Sequence, residues 1–334
     1  MTISVANTTK QIPIVCPGHT RPLTELQYVY TVDSGYNNVD GPTTFLLSAC
    51  HDKMPMIRDG GSGDWIGTWM GHKGAVWSCQ MDPTGNLAAT ASGDYSARVW
   101  DAINGQSLIE LPHKHIVKTC VFSPNSQRLA TGGKEASLRI YDLPQLLQKT
   151  SENTDNDAAK PSLEIPQEFP ITKLSWMTNE LLLCSCMNGK VYLWNTNEKV
   201  LIHTFDTKEG AEIRDMEVRA IAGSQKLILS VAAGTKVFFF DLSDSESFKL
   251  IKEYQMPIHF REEGGVTLHP NGKKFVAGGS DLWVRVFDFE TGEELECHRG
   301  HHGPIRCVRF SPDGCSYASG SEDGTIRLWK TTPA

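Results

Sequence analysis

No stretch of this 334-residue chain approaches the roughly 18 consecutive apolar residues that a membrane-crossing helix requires. The opening Met1-Thr2-Ile3-Ser4-Val5 lacks the basic segment and apolar stretch that would mark it for export. Gly-rich phosphate loops, the HExxH pair and the dinucleotide fingerprint are also missing, so no cofactor is expected. Basic residues are in deficit, with 32 Lys and Arg against 39 Asp and Glu and a formal charge of −7. That balance argues against a broad grip on phosphate backbone while leaving room for a local basic patch, and RNA contact is expected to be indirect or weak. Long apolar patterns of period 3.6 are lacking, which predicts very little helix. Nine cysteines are present, but the even framework of a disulfide-stapled secreted domain is not. An odd number scattered through strand-like segments predicts a reduced, intracellular protein, in which the sequon Asn7-Thr8-Thr9 carries no meaning.

What the chain does have is a repeat. Near the C-terminus it reads Gly300-His301, then Phe310-Ser311-Pro312-Asp313-Gly314, then Ser319-Gly320-Ser321-Glu322-Asp323-Gly324-Thr325-Ile326-Arg327-Leu328-Trp329, and weaker copies recur upstream. Taking the residue that ends each third strand gives Arg58, Trp100, Tyr141, Trp194, Phe240, Phe287 and Trp329, spaced by 42, 41, 53, 46, 47 and 42 residues. WD repeats recur every 40 to 45 residues or so, and stacked repeats share one core. The prediction is an all-β, seven-bladed WD40 β-propeller forming one domain over residues 1–334. Two expansions interrupt it. Residues 33–42 lengthen the first hairpin of blade one, and the polar, acidic residues 150–161 form a flexible insertion between blades three and four. Trp329 leaves only five residues for a last strand, so residues 12–16 are predicted to close the ring as the outer strand of blade seven.

Two blades contain the residue types of a hydrolase triad: His72, Thr90 and Asp94 with Trp100, and His301, Ser319 and Asp323 with Trp329. The same order recurs as His19, Ser48, Asp52 in blade one and His113, Thr131, Glu135, Tyr141 in blade three. Catalysis needs one activated hydroxyl at one cleft, not the same trio in several blades. A closed chain from Asp through His and hydroxyl to the Trp N–H satisfies buried polar groups and fixes the loops of each blade, and this structural reading is preferred. Blade four has Gln167, Cys184 and Asn188 instead, and blade six has Ala277 with Asp281, so packing is expected to hold those blades. Cys184 and Cys186 point to one sheet face as small apolar residues, and the run Cys297 to His302 contains a His already used by the blade. No metal site is assigned.

Partner-binding positions on propellers lie on loops and around the channel mouth. Trp77, Lys118 and Arg306 share one repeat position just inside the first strand and are the candidates there, because Trp and Arg are enriched at interface hot spots. Trp65 on an outer strand is a further candidate anchor; inter-blade packing explains it and Trp283 more readily. Lys118, Arg306 and a stacking face on Trp77 would also suit direct RNA binding.

Several stretches carry a closer resemblance: Gly63 to Thr68, Gly71 to Trp77, His113 to Thr119, Leu138 to Leu143, Gly292 to Glu296 and the blade from Gly303 to Trp329. They resemble the serine-threonine kinase receptor-associated protein family, also called Unr-interacting proteins. The resemblance implies a non-enzymatic adaptor of the survival of motor neuron complex, which loads Sm proteins onto small nuclear RNAs before splicing. It implies contact through a small Sm-like Gemin subunit, a monomer within a larger assembly, and a cytoplasmic location with a nuclear pool. A role in receptor-kinase signalling is implied as well. The sequence ends at Ala334 without the acidic extension of animal members, so tail-dependent contacts are not expected. The alternative is the WD-repeat i subunit of eukaryotic translation initiation factor three, which is similar over Gly67 to Trp77 and in the last blade but lacks a counterpart of His113 to Thr119.

Overall fold

The computed structural model describes residues 11–31, 43–151, 159–207, 210–244, 248–260 and 264–332. The expansion at 33–42 and most of the insertion at 150–161 lie outside these. Seven antiparallel sheets follow one another along the chain. Their first strands are Leu23–Thr31, Val76–Met81, Val117–Phe122, Ile171–Trp176, Ile213–Ala220, Gly265–Leu268 and Ile305–Phe310. Each first strand packs on the next, and the seventh packs back on the first, so they line a central channel. This is an all-β, seven-bladed propeller.

Closure is made by the N-terminal segment. Ile14–Cys16 pairs antiparallel with Ile326–Lys330, register Ile14 to Leu328 and Cys16 to Ile326. Gln11 adds two clasps: its Nε2 donates to the Lys330 carbonyl at 2.8 Å, and its Oε1 accepts the Lys330 N–H at 3.1 Å. The buried Cys16 and Leu328 join a core cluster with Leu23 and Leu46 of blade one, so the strand seals an apolar seam as well as an edge.

Alternation along the strands fills the seams between blades. Ala89, Val99 and Leu111 of blade two pack with Cys120, Leu129 and Tyr141 of blade three in one fully buried cluster. Small residues in the second strand, Leu87-Ala88-Ala89-Thr90-Ala91-Ser92, let the neighbouring sheet approach closely.

Blade five builds its second and third strands from one continuous ladder, Leu227–Asp241, that folds back on itself: the Leu242 N–H donates to the Leu227 carbonyl at 2.8 Å. The reversal falls at Gly234, whose φ of +60° suits glycine best. Among the described residues one helix occurs, Leu143–Ser151. Asp142 caps it by accepting the Gln145 N–H at 3.1 Å, and the buried Leu143 and Leu146 join the core of blades two and three. The third strand of blade three is therefore followed by a helix that runs to Ser151. The third strands also extend one residue past the repeat markers, to Asp101, Asp142 and Lys330 for example.

Candidate functional site

The triad-like residues meet as closed chains. In blade two His72 Nδ1 donates to Asp94 at 2.8 Å, and Thr90 lies 2.6 Å from His72 Nε2 while accepting the Trp100 Nε1–H at 2.9 Å. Blade seven repeats this with His301 to Asp323 at 3.1 Å, His301 to Ser319 at 2.8 Å and Trp329 to Ser319 at 2.9 Å. Burial pushes the His301 imidazole down to about 4 against the pull of Asp323. Burial works the other way on Asp323, but the His302 N–H and the Thr325 hydroxyl outweigh it and hold the carboxyl at about 2. Blade one has the His19–Asp52 and His19–Ser48 bonds, both 2.8 Å, with Arg58 in the Trp position reaching the carbonyls of Gly63 and Pro17. In blade three His113 turns to the Leu111 carbonyl and Thr131, and Glu135 pairs with Arg139 instead.

Each hydroxyl is wholly buried and bonded to its histidine, so none is presented to a substrate. His19, Cys50 and Asp52 bring three potential metal-ligand atoms within 4.8 Å of one another. Two of these belong to the repeated chain, and burial pushes the Cys50 thiol up to about 12, so the thiolate that a metal needs is disfavoured. Asn188 in blade four bonds Tyr192, and Asp281 in blade six pairs with Arg285 at 2.5 Å.

The channel mouth is shaped by a repeated irregularity. Among the described residues the register skips one residue at the second position of six first strands: Thr24, Trp77, Lys118, Thr172, Arg214 and Arg306. A bulged residue has no partner across the ladder, and its side chain is re-aimed. The structure thus places Trp77, Lys118 and Arg306 in one ring and adds Thr24, Thr172 and Arg214 to it. Lys118 Nζ sits 3.0 Å from the Trp77 ring centroid, and His51 packs edge-on against the same ring at 4.6 Å. Burial, reinforced by Arg306 and Lys118, pushes the His51 imidazole below its usual range. Trp77 is therefore a fixed wall, with cation and imidazole already on it, rather than an open platform for stacking a base. Trp65 lies away from the mouth on its outer strand, 60% exposed, its Nε1–H donating to Thr68 at 3.1 Å. Trp283 is flanked by Arg285 and Arg299.

Below the ring, the residue after the bulge carries charge in three strands. Glu25 of blade one accepts from Ser78 Oγ at 2.5 Å, the Cys79 N–H at 3.1 Å and, across the channel, Lys173 of blade four at 2.8 Å. Asp215 of blade five accepts the Val266 N–H at 3.1 Å and two guanidinium bonds of 2.7 Å from Arg309 of blade seven. These pairs bridge blades that are not neighbours. Glu25 and Lys173 are the single charges of their first strands and were available as a signal, whereas Asp215 and Arg309 share theirs with other charges, and the bulge has no compositional mark.

Comparison with known proteins agrees with this geometry. The family profile described as WD domain, G-beta repeat matches residues 63–101, 105–142 and 292–330. A serine-threonine kinase receptor-associated protein of Dictyostelium discoideum is 40% identical over 331 residues, covering 95% of this chain and 98% of that protein. The Homo sapiens protein of the same name is 38% identical over 327 residues, covering 96% and 83%. A eukaryotic translation initiation factor 3 subunit I from Drosophila willistoni is more distant, 30% identical over 332 residues, covering 93% and 95%.

Proposed function

The chain belongs to the serine-threonine kinase receptor-associated protein family, and from that premise we propose that it is a non-enzymatic adaptor that holds protein partners at the mouth of its propeller. The observation that carries this reading is the use of the His and hydroxyl residues: four blades consume them in internal bonds, while the bulged ring is the feature offered outward. The finer assignment is to the survival of motor neuron complex, where the adaptor would hold a small Sm-like Gemin subunit during small nuclear ribonucleoprotein assembly, in the cytoplasm with a nuclear pool. The resemblance in blades two, three and seven supports it. Association with a receptor kinase is supported by the name that the relatives carry.

The test is affinity purification of the tagged protein from its own cells at two salt concentrations, followed by mass spectrometry. Recovery of Sm and Gemin-type proteins at both salts supports the assembly adaptor. A coherent set of initiation factor three subunits replaces it with the alternative, and RNA lost steeply with salt replaces it with a direct RNA binder.

A further inference from the structure

On the side of blades three to five, the mouth deepens into a recess of about 180 Å³. Lys118 and Lys134 of blade three and Arg214 of blade five line it, with Trp77 and Met187 as apolar wall. Among the described lining residues Glu212 is the sole acid, and it sits on Arg214 at 3.1 Å. Lys173, at the floor, is balanced by Glu25. Among the described lining residues four cations, Lys118, Lys134, Lys173 and Arg214, thus face one acid, on a chain whose formal charge is −7. Concentrated cations in a walled recess focus potential far more than the same charges spread over a surface.

We propose that this recess takes the carboxylate side chain of an acidic peptide segment on a protein partner, with Lys118, Lys134 and Arg214 meeting the charge and Met187 and Trp77 contacting the flanking chain. Volume limits the ligand, because small-molecule sites run roughly 300–1,000 Å³ and this one suits a single side chain. Nucleic acid is disfavoured by two features. Trp77 already holds Lys118 at 3.0 Å from its ring centroid and His51 at 4.6 Å, so it has no ready stacking face. The cations also converge on one recess rather than tracking a strand. Glu212 on Arg214 shows the contact in miniature, a carboxylate seated on a mouth cation.

This inference names the ligand chemistry of the adaptor mouth and rests on that reading. Fluorescence anisotropy with the full chain tests it, using a labelled decapeptide of Asp, Glu and Leu, its Asn, Gln and Leu counterpart, and a uridine decanucleotide. The acidic peptide is expected to bind at least ten-fold tighter than either. Lys118→Glu combined with Arg214→Glu should weaken it at least ten-fold at an unchanged Tm, and Glu212→Gln should tighten it two- to five-fold. If the double variant unfolds, Lys118→Ala in the folded protein must still weaken binding three-fold or more. Equal binding of acidic and amide peptides, tighter binding of the oligonucleotide, or no effect of the variants overturns the proposal. Purification of the double variant from cells separates the two readings. Sm and Gemin-type proteins retained by wild type and variant alike leave the adaptor standing and remove this site, whereas their absence from the wild type removes the assembly role whatever the peptides do.

Discussion

Blades seven, one, two and three form one arc of the ring, and blades four, five and six the other. In the first arc the middle of each second strand carries Ser319, Ser48, Thr90 or Thr131, each bonded to a histidine. In the second arc the equivalent positions are Cys184, Val231 and Ala277, all fully buried and without a hydroxyl. There the seams are filled by rings instead: Phe205, Phe238 and Phe240 in blades four and five, and Phe239, Tyr254, Phe275 and Phe287 in blades five and six. One repeat architecture thus tolerates two ways of fixing a blade, directed polar bonds or undirected aromatic area. Ion pairs across the channel join one arc to the other, Glu25 to Lys173 and Arg309 to Asp215 and Glu217.

The largest expected effect comes from opening the ring within the polar arc. Deleting residues 1–17 removes the strand on Ile326–Lys330 and exposes Leu328, so a fall in Tm beyond that of any single substitution is expected by calorimetry. An unchanged Tm would show that the arcs hold together without closure. Next comes the link between arcs. Asp215→Ala leaves the buried Arg309 guanidinium without its bidentate partner, which should cost about 3–5 kcal/mol in denaturant unfolding. A cost under about 1 kcal/mol would mean that the bridge is incidental.

A paired substitution contrasts the arcs directly. Trp100→Phe strips the N–H from Thr90 and should cost about 1–3 kcal/mol. Trp194→Phe in blade four removes an N–H with no hydrogen-bond partner, and should change stability by less than about 0.5 kcal/mol. Equal costs would erase the distinction. The smallest effect is in pH. Because the folded His301 sits at about 4, the unfolded chain takes up its proton first as pH falls from about 6.5, so stability declines between these values. Asp323, held at about 2, extends the loss below about 3.8. His51, His113 and His269 shift in the same direction as His301, so His301→Gln should flatten the slope of Tm against pH between 6.5 and 4 without abolishing it. An unaltered slope would remove the blade seven chain from the acid response.

The polar arc was the legible one. Gly300-His301 and Ser319 to Trp329 spell out a blade because its bonds require particular residue types at particular spacings. The aromatic arc was read by period alone, since many combinations of Phe, Val and Ala fill a seam equally well. The fold-back at Gly234 followed from no turn signal stronger than a lone glycine, and Leu143–Ser151 was too short for its Leu143, Leu146, Leu147 spacing to register as a helix. At the mouth, Trp77, Lys118 and Arg306 could be found because they are unusual where they stand. Thr24 and Thr172 could not, since threonine is ordinary in a strand and only the bulge distinguishes it.

The clasp of Gln11 on Lys330 spans 319 positions of chain. At roughly 5–20 residues per second, a ribosome needs about 15 to 65 seconds to produce the partner of a strand it has already released. For that interval the segment Ile14–Cys16 has nothing to pair with, and blade one has no neighbour on its open side. Synthesis order, rather than contact energy, then decides how long the seam stays open. A circular permutant with its ends moved to the loop between two blades would redistribute that wait without altering a single contact of the finished ring.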